Sequence, residues 1–228
     1  ASLNFGLGST DDPESVAENR RRCECALFDD PPTLLTLYQI HSPRVVIVDH
    51  PWKGQGPQAD AMATREKGLA LGVLAADCMP FLFADMRAGV IAAAHAGWRG
   101  ALAGVLEATV NTSIGLGATP ADIRVGVGPC LRQPNFEVGL DLVGEFLARH
   151  PGAERFFAPG KNDEKRQLDL VGFGCWRLSA LGVETIGDVG VCTLGEPNSY
   201  FSYRAGRRRG EDDYGRNLSA IALVHDRA

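Results

Sequence analysis

One thiol and two imidazoles in this chain are of the types, and in the settings, that hold a metal ion. His41 closes Gln39-Ile40-His41-Ser42. Cys78 lies inside Ala76-Asp77-Cys78-Met79-Pro80. His95 opens His95-Ala96-Gly97-Trp98-Arg99-Gly100. Zinc takes tetrahedral nitrogen and sulfur ligands, and a catalytic zinc site keeps a fourth position open beside three protein ligands. One thiolate and two neutral imidazoles leave such a centre positive, able to polarise a water and lower its pKa toward ~7. Each residue also has a plainer reading: a lone cysteine in an apolar run is ordinarily a small core residue, and a lone histidine a satisfied one. A fourth ligand, from Cys130 or an acid, would make the site structural. The glycines after His95 expose backbone N–H groups where a strand turns into a helix, which suits an anion or simply a tight turn. Asp77, beside the thiol, is a candidate to orient a histidine or a water, or only a turn residue.

These side chains need elements to hold them. Asp12-Pro13-Glu14 marks a helix start, with Asp12 as cap and Pro13 in the first turn, and the helix should run to about Leu27. Residues 36–40 and 44–48 read as strands. Short apolar runs at 69–75, 80–84 and 90–95 read as buried strands in quick succession. Helical spacing covers 98–114, ended by Gly115, and 138–149, stopped near Pro151. Residues 168–181 read as a helix weakened by Gly172 and Gly174. Residues 123–127, 185–192, 200–203 and 218–224 read as strands. Hairpin-like neighbours exclude a purely doubly wound sheet. The expected class is α/β of the α+β kind, one domain over residues 1–228, with mixed sheet layers packed by helices.

The chain has 228 residues, 45% hydrophobic and 22% charged, ample for a real core. Its net charge of −5 argues against nucleic acid as the main partner. No apolar run approaches the ~20 residues of a membrane helix, so no membrane partner is expected. Its six cysteines include no C-x-x-C pair, and no secretory signal opens the sequence, so reduced thiols and a cytoplasmic location are expected. His50 and His150 each precede a proline, and His225 lies near the end; these suit turns better than catalysis. Arg207-Arg208-Arg209 beside Glu211-Asp212-Asp213 reads as a solvated loop.

Several segments together are similar to one family. They are Asp11-Asp12-Pro13-Glu14 with Glu18-Asn19-Arg20, then Gln39-Ile40-His41, Ala59-Asp60-Ala61, Ala76-Asp77-Cys78-Met79-Pro80 and His95-Ala96-Gly97-Trp98-Arg99-Gly100. Gly126-Val127-Gly128-Pro129-Cys130, Leu168-Asp169-Leu170, Cys192-Thr193 and Phe201-Ser202-Tyr203-Arg204 complete the set. From Ser2 to Leu223 the chain resembles the YfiH/YlmD-like family, long labelled a multicopper polyphenol oxidase or laccase and described as purine nucleoside phosphorylases. The resemblance implies zinc on His41, Cys78 and His95, with copper as the alternative metal. It implies a pocket for a purine nucleoside and phosphate. Its activities include phosphorolysis of adenosine, guanosine, inosine and methylthioadenosine, and adenosine deamination. A bacterial branch resembles a peptidoglycan editing hydrolase acting on a muramyl-amino acid nucleotide. On this resemblance Cys78, His95 and Asp77 are the catalytic candidates, and Asn4, Gln39, Cys130, Arg204 and Arg216 the substrate-binding ones. The family's Thr-Arg-x-Gly-Gly type segment would precede Ser2 and is absent here, so an N-terminal segment is expected to be missing; the family's second cysteine after Gly-Pro-Cys is Leu131.

The oxidase label fails on arithmetic. A blue-copper site plus a three-copper cluster needs far more imidazoles than five histidines supply, and no His-x-His pair is present. A lone blue-copper site needs two His, one Cys and often an axial Met. Met79 follows Cys78, but neighbours along an extended segment point to opposite faces, so Met79 should aim away.

Overall fold

The computed structural model describes residues 3–27 and 33–224; Ser2 and His225 lie outside them. In chain order the elements are helix α1 (Pro13–Leu27) and strands β1 (Thr33–Thr36), β2 (Val45–Ile47), β3 (Ala61–Thr64), β4 (Leu69–Ala75), β5 (Met79–Asp85) and β6 (Val90–Ala96). Helices α2 (Trp98–Ala103) and α3 (Val105–Gly115) follow, then strands β7 (Arg124–Val127) and β8 (Glu137–Gly139) and helix α4 (Leu140–Arg149). Strands β9 (Phe157–Pro159) and β10 (Lys165–Leu168), helix α5 (Leu170–Ser179), strand β11 (Thr185–Asp188), helix α6 (Tyr203–Arg209) and strand β12 (Asn217–Leu223) complete the chain.

The central sheet runs β11-β7-β5-β6-β3-β2, parallel at both edges and antiparallel between them. A smaller sheet, β1-β4-β12, lies on one of its faces, with β4 against β6 and β12 against β5 and β6. Helix α3 packs on the other face, backed by α5. A third small sheet, β8-β10-β9, stands beside α4. This is the expected α+β fold with mixed sheets, and the β5–β6 hairpin is what removes it from the doubly wound class.

Side-chain alternation explains the layers. Phe81, Phe83, Ala92 and Ala94 turn toward the helices, where Val105, Leu106 and Val110 meet them. Met62, Ile91 and Ala93 turn toward Leu35, Leu71 and Val73 of the smaller sheet. With a period of two, His95 takes the side of Ile91 and Ala93. It therefore points into the seam between the two sheets, where it is almost wholly buried.

Local chemistry sets the ends of several elements. Asp12 caps α1 as expected, its carboxylate accepting the Ser15 N–H at 3.0 Å. The helix expected over 98–114 is two helices, broken at Gly104, whose φ of 90° is left-handed. Gly172 is less a weakness than a condition of the α5 cap. The Asp169 carboxylate accepts the Gly172 N–H at 2.8 Å, and a Cβ on residue 172 would lie 2.3 Å from Asp169 Oδ2.

Other expectations are corrected. Residues 200–203 are not a strand: Ser202 caps α6, accepting the Ala205 N–H at 3.1 Å. The run Arg207-Arg208-Arg209 is the last turn of that helix, not a loop. The first strand lies at Thr33–Thr36 rather than 36–40, and only Tyr38 bridges onward, to Gln58. Val138 belongs to β8, so α4 begins at Leu140. Leu168 ends β10, because Asp169 caps the helix after it.

Candidate metal centre

Cys78 stands where the chain crosses between sheets. Strand β4 of the smaller sheet ends at Ala75, and β5 of the central sheet begins at Met79. Ala76-Asp77-Cys78 makes the crossing, and Asp77 turns it with a φ of 92°. His41 also has a positive φ, 60°. Among the described residues these two are the non-glycine residues in that region. A side chain there is uncommon and costs strain that neighbouring contacts must hold. Met79 points away, as the alternation requires, and is buried in the core.

The three ligand atoms gather. His41 Nε2 is 3.7 Å from Cys78 Sγ, and the donor atoms of His41, Cys78 and His95 lie within 4.8 Å of one another. Tetrahedral nitrogen and sulfur ligands on one zinc ion stand about 3.6 Å apart, which the His41–Cys78 distance matches, and the two-imidazole, one-thiolate donor set suits a metal ion such as zinc or copper. Among the described residues this is the one such group of three or more. Cys130 is not a member.

Asp60 holds two of the three ligands in place. Its carboxylate is fully buried and accepts the backbone N–H groups of Ile40, His41 and Ser42 at 3.1, 2.8 and 2.6 Å. The Ser42 hydroxyl donates to it at 2.9 Å. It also meets His95 Nδ1 at 2.9 Å. A carboxylate partner places the proton on Nδ1 and leaves Nε2 bare for a metal. Burial pushes the Asp60 carboxyl up, but the His95 hydrogen bond and the loop N–H groups outweigh it and hold the pKa down to about 2. Burial likewise pushes the Cys78 thiol up, and His95 and His41 together bring it down to about 6. Burial pulls His95 down, while Cys78 and Asp60 raise it to about 9. The lowering favours the thiolate, the form that binds metal.

Gly97 closes the base. A Cβ there would stand 2.7 Å from His41 Cδ2 and 2.8 Å from Cys78 Sγ. Gly97 therefore serves close approach, whereas a Cβ at Gly100 would meet nothing nearer than 3.5 Å. Helix α2, which Gly97 caps and which contains Gly100, is a single short piece.

Two clefts meet at this centre. One, of about 290 Å³, is lined by Gln39, His41, Cys78, His95, Tyr38, Tyr214 and Arg216 among others. The other, of about 410 Å³, is lined by His41, Asp77, Cys78, Trp98, Arg99, Phe136, Tyr203, Arg204 and Tyr214 among others. His41, Cys78 and Tyr214 belong to both walls. Each cleft carries an arginine against an aromatic ring: Arg216 lies 4.5 Å from the centre of Tyr214, and Arg204 lies 5.3 Å from that of Phe136.

The other expected site residues divide. Arg216 lines the smaller cleft and Arg204 the larger. Gln39 lines the smaller one, but both ends of its amide pair with the Leu74 backbone, at 2.6 and 2.8 Å. Asn4 lines neither. It is buried, and its Oδ1 accepts the N–H groups of Gly6 and Arg216, both at 2.9 Å. Cys130 lines neither; it is fully buried, held beside Cys192 by backbone pairing, and burial pushes its thiol up to about 12. Asp77 does not touch a histidine. Its oxygens accept the Thr193 hydroxyl and the Arg204 N–H, each at 2.7 Å. The acid that orients a histidine is Asp60. Its signal in the sequence is one acid inside the otherwise apolar run 59–63, a pattern a buried strand does not carry without a partner for the charge.

Comparison with known proteins places these residues in context. The family described as multi-copper polyphenol oxidoreductase laccase matches residues 1–224. A purine nucleoside phosphorylase of Pseudomonas aeruginosa is 38% identical over 209 residues, covering 92% of this chain and 83% of that protein. One of Streptomyces griseus is 39% identical over 210 residues, covering 91% and 83%. The crystal structure of Bacillus licheniformis YfiH is similar with a TM-score of 0.86 at 27% identity, over 97% of this chain and 86% of that one. That of Geobacillus stearothermophilus YlmD is similar with a TM-score of 0.84 at 29% identity, over 99% and 86%.

Proposed function

The chain belongs to the YfiH/YlmD-like family, and from that premise we propose that it is a zinc-dependent purine nucleoside phosphorylase. Inorganic phosphate and a nucleoside such as adenosine, guanosine, inosine or methylthioadenosine give the free purine and the sugar 1-phosphate. One observation carries this reading: His41 and Cys78 line both clefts and His95 the smaller, with Arg216 in the smaller cleft and Arg99 and Arg204 in the larger. A reaction of two polar substrates needs such an arrangement. The names of the Pseudomonas and Streptomyces relatives agree with it.

In this reading Arg204 grips phosphate in the larger cleft, where a guanidinium can hold two oxygens at once. Tyr38, Tyr214 and Arg216 hold the nucleoside in the smaller one. A phosphate oxygen bonds to C1′ as the bond from C1′ to the purine nitrogen breaks. The bonding pair passes to the purine, which takes up a proton. Negative charge grows on the departing ring, and fixed donors aimed at it lower the barrier. Zinc, when bound by His41, Cys78 and His95, supplies Lewis-acid charge beside the reacting atoms. Asp60 holds both histidines still while this happens. Zinc is preferred to a multicopper centre because five histidines cannot furnish the latter.

The test is zinc-loaded protein with adenosine, with and without phosphate. Adenine and ribose 1-phosphate should form only when phosphate is present. Inosine formed without phosphate would assign deamination instead. Inertness toward nucleosides with cleavage of a muramyl-amino acid nucleotide would move the chain to the editing hydrolases.

A further inference from the structure

Asp77 is tied to parts of the chain far from it in sequence. Its Oδ1 accepts the Thr193 hydroxyl and its Oδ2 the Arg204 backbone N–H, each at 2.7 Å. Its own carbonyl accepts the Leu131 N–H at 2.9 Å. Thr193 is fully buried, so that anchor is fixed. The next residue along the chain is Cys78. The carboxylate thus spans from the thiol ligand to the first turn of α6, which carries the Arg204 guanidinium. That guanidinium is steadied from its other side, where Nη1 donates to the carbonyls of Asn135 and Glu137, both at 3.2 Å. The left-handed φ at Asp77 is what lets one residue face the thiol's turn and α6 together.

We infer that Asp77 is a positioning residue that fixes Arg204 at a set distance from Cys78, and so tunes the anion half of the site without touching the metal. Each of its oxygens accepts a short hydrogen bond from the protein, which ties the carboxylate to Thr193 and to the backbone of Arg204. Its part is geometric, carried by the two hydrogen bonds it accepts. A carboxamide can accept from the Arg204 N–H with its oxygen and donate to Thr193 with its nitrogen. Asparagine also tolerates the left-handed region, as does glycine.

The inference rests on the phosphorolysis reading for its kinetic measurement, so binding is measured beside it. Asp77→Gly keeps the backbone and removes the strut; Asp77→Asn keeps both. In metal-loaded Asp77→Gly, the KM for phosphate should rise by ~10-fold or more. The nucleoside KM and the bound zinc per chain should stay near wild type. Calorimetric titration with inorganic phosphate should show the same loss, and Asp77→Asn should restore binding to within ~3-fold. The inference is overturned if Asp77→Gly binds phosphate like wild type, if Asp77→Asn is as weak as Asp77→Gly, or if zinc or all kinetic constants are lost together. A wild-type protein that binds phosphate but forms no sugar phosphate sinks the phosphorylase reading alone, and the phosphate titrations still decide the role of Asp77. Wild-type protein that binds no phosphate sinks both.

Discussion

Gly97 lies directly beneath His41: a Cβ on it would be 2.7 Å from the ring's Cδ2, and 2.8 Å from Cys78 Sγ. Real Cβ atoms do not sit that close to a neighbour, so Gly97→Ala must push ligands apart. The backbone at Gly97 has an ordinary φ of −68°, so the substitution is not strained in itself. Zinc affinity should fall by ~10-fold or more, with little change in the chemical denaturation midpoint of metal-free protein. Unchanged affinity by chelator competition would show that the ligands yield without cost.

Asp60→Asn should weaken zinc binding by ~10–100-fold, the usual effect of removing the partner of a ligating histidine. The amide cannot serve the Nδ1–H of His95 and the three loop N–H groups as a carboxylate does. Cobalt substitution gives a direct reading: the visible d–d bands of the variant should shift or broaden. Identical bands and affinity would remove Asp60 from the site.

Cys78→Ser should abolish turnover and leave the fold standing. A hydroxyl is a poor zinc ligand, and the surrounding sheets have cores of their own. Full activity with full zinc occupancy in this variant would falsify the metal mechanism. Collapse of the far-ultraviolet circular dichroism would instead make the metal structural.

Arg204→Lys should weaken the phosphate dependence by about 1–3 kcal/mol, the worth of a charge-assisted hydrogen bond. A lysine ammonium cannot copy the two-pronged grip. An equal fall in nucleoside affinity would mark the arginine as structural.

Asp213 governs an acid-sensitive contact near the smaller cleft. It accepts the Thr10 N–H at 2.6 Å and the Thr10 hydroxyl at 2.9 Å, and faces Arg216 Nη1 at 3.4 Å. The Thr10 N–H above all, against some burial, holds its pKa down to about 2 from an ordinary 3.8. A carboxyl lowered on folding adds stability that is complete above about pH 4 and is lost as pH falls through about 2. Asp213→Asn should therefore be less stable than wild type at pH 7, and the gap should close near pH 2. Urea midpoints across that range measure it; a gap independent of pH would assign the effect to shape rather than charge.

The metal group is legible in the sequence through the family resemblance of its three motifs; the residue types alone leave a core cysteine and ordinary histidines open, and His41 lies beyond the end of β1 rather than at a strand end. The strands at 69–75 and 90–95 are legible for a local reason. An unbroken apolar run of six or seven residues is too short for a helix and suits a strand covered on both faces. Asp60 escapes a sequence reading of the site, because nothing local shows that residue 60 meets residue 95 across the β3–β6 strand pair. Cys130 is misplaced by its motif, which names a position in the chain, while its burial depends on the pairing of two distant segments. Helix α6 resembles a strand in sequence because Tyr200, Phe201 and Tyr203 favour strands by type, and the single cap at Ser202 outweighs them.

The hydrogen bond from the Arg216 N–H to Asn4 joins residues 212 positions apart, and β12 zips along the whole of β4 in the same closure. The ligands His41, Cys78 and His95 leave the ribosome early; the arginine that walls the smaller cleft leaves late. The seam that buries His95 is thus completed only when the final strand arrives. Truncation just short of residue 216 removes a wall of the smaller cleft and a strand of that seam together, and should cost metal affinity along with activity.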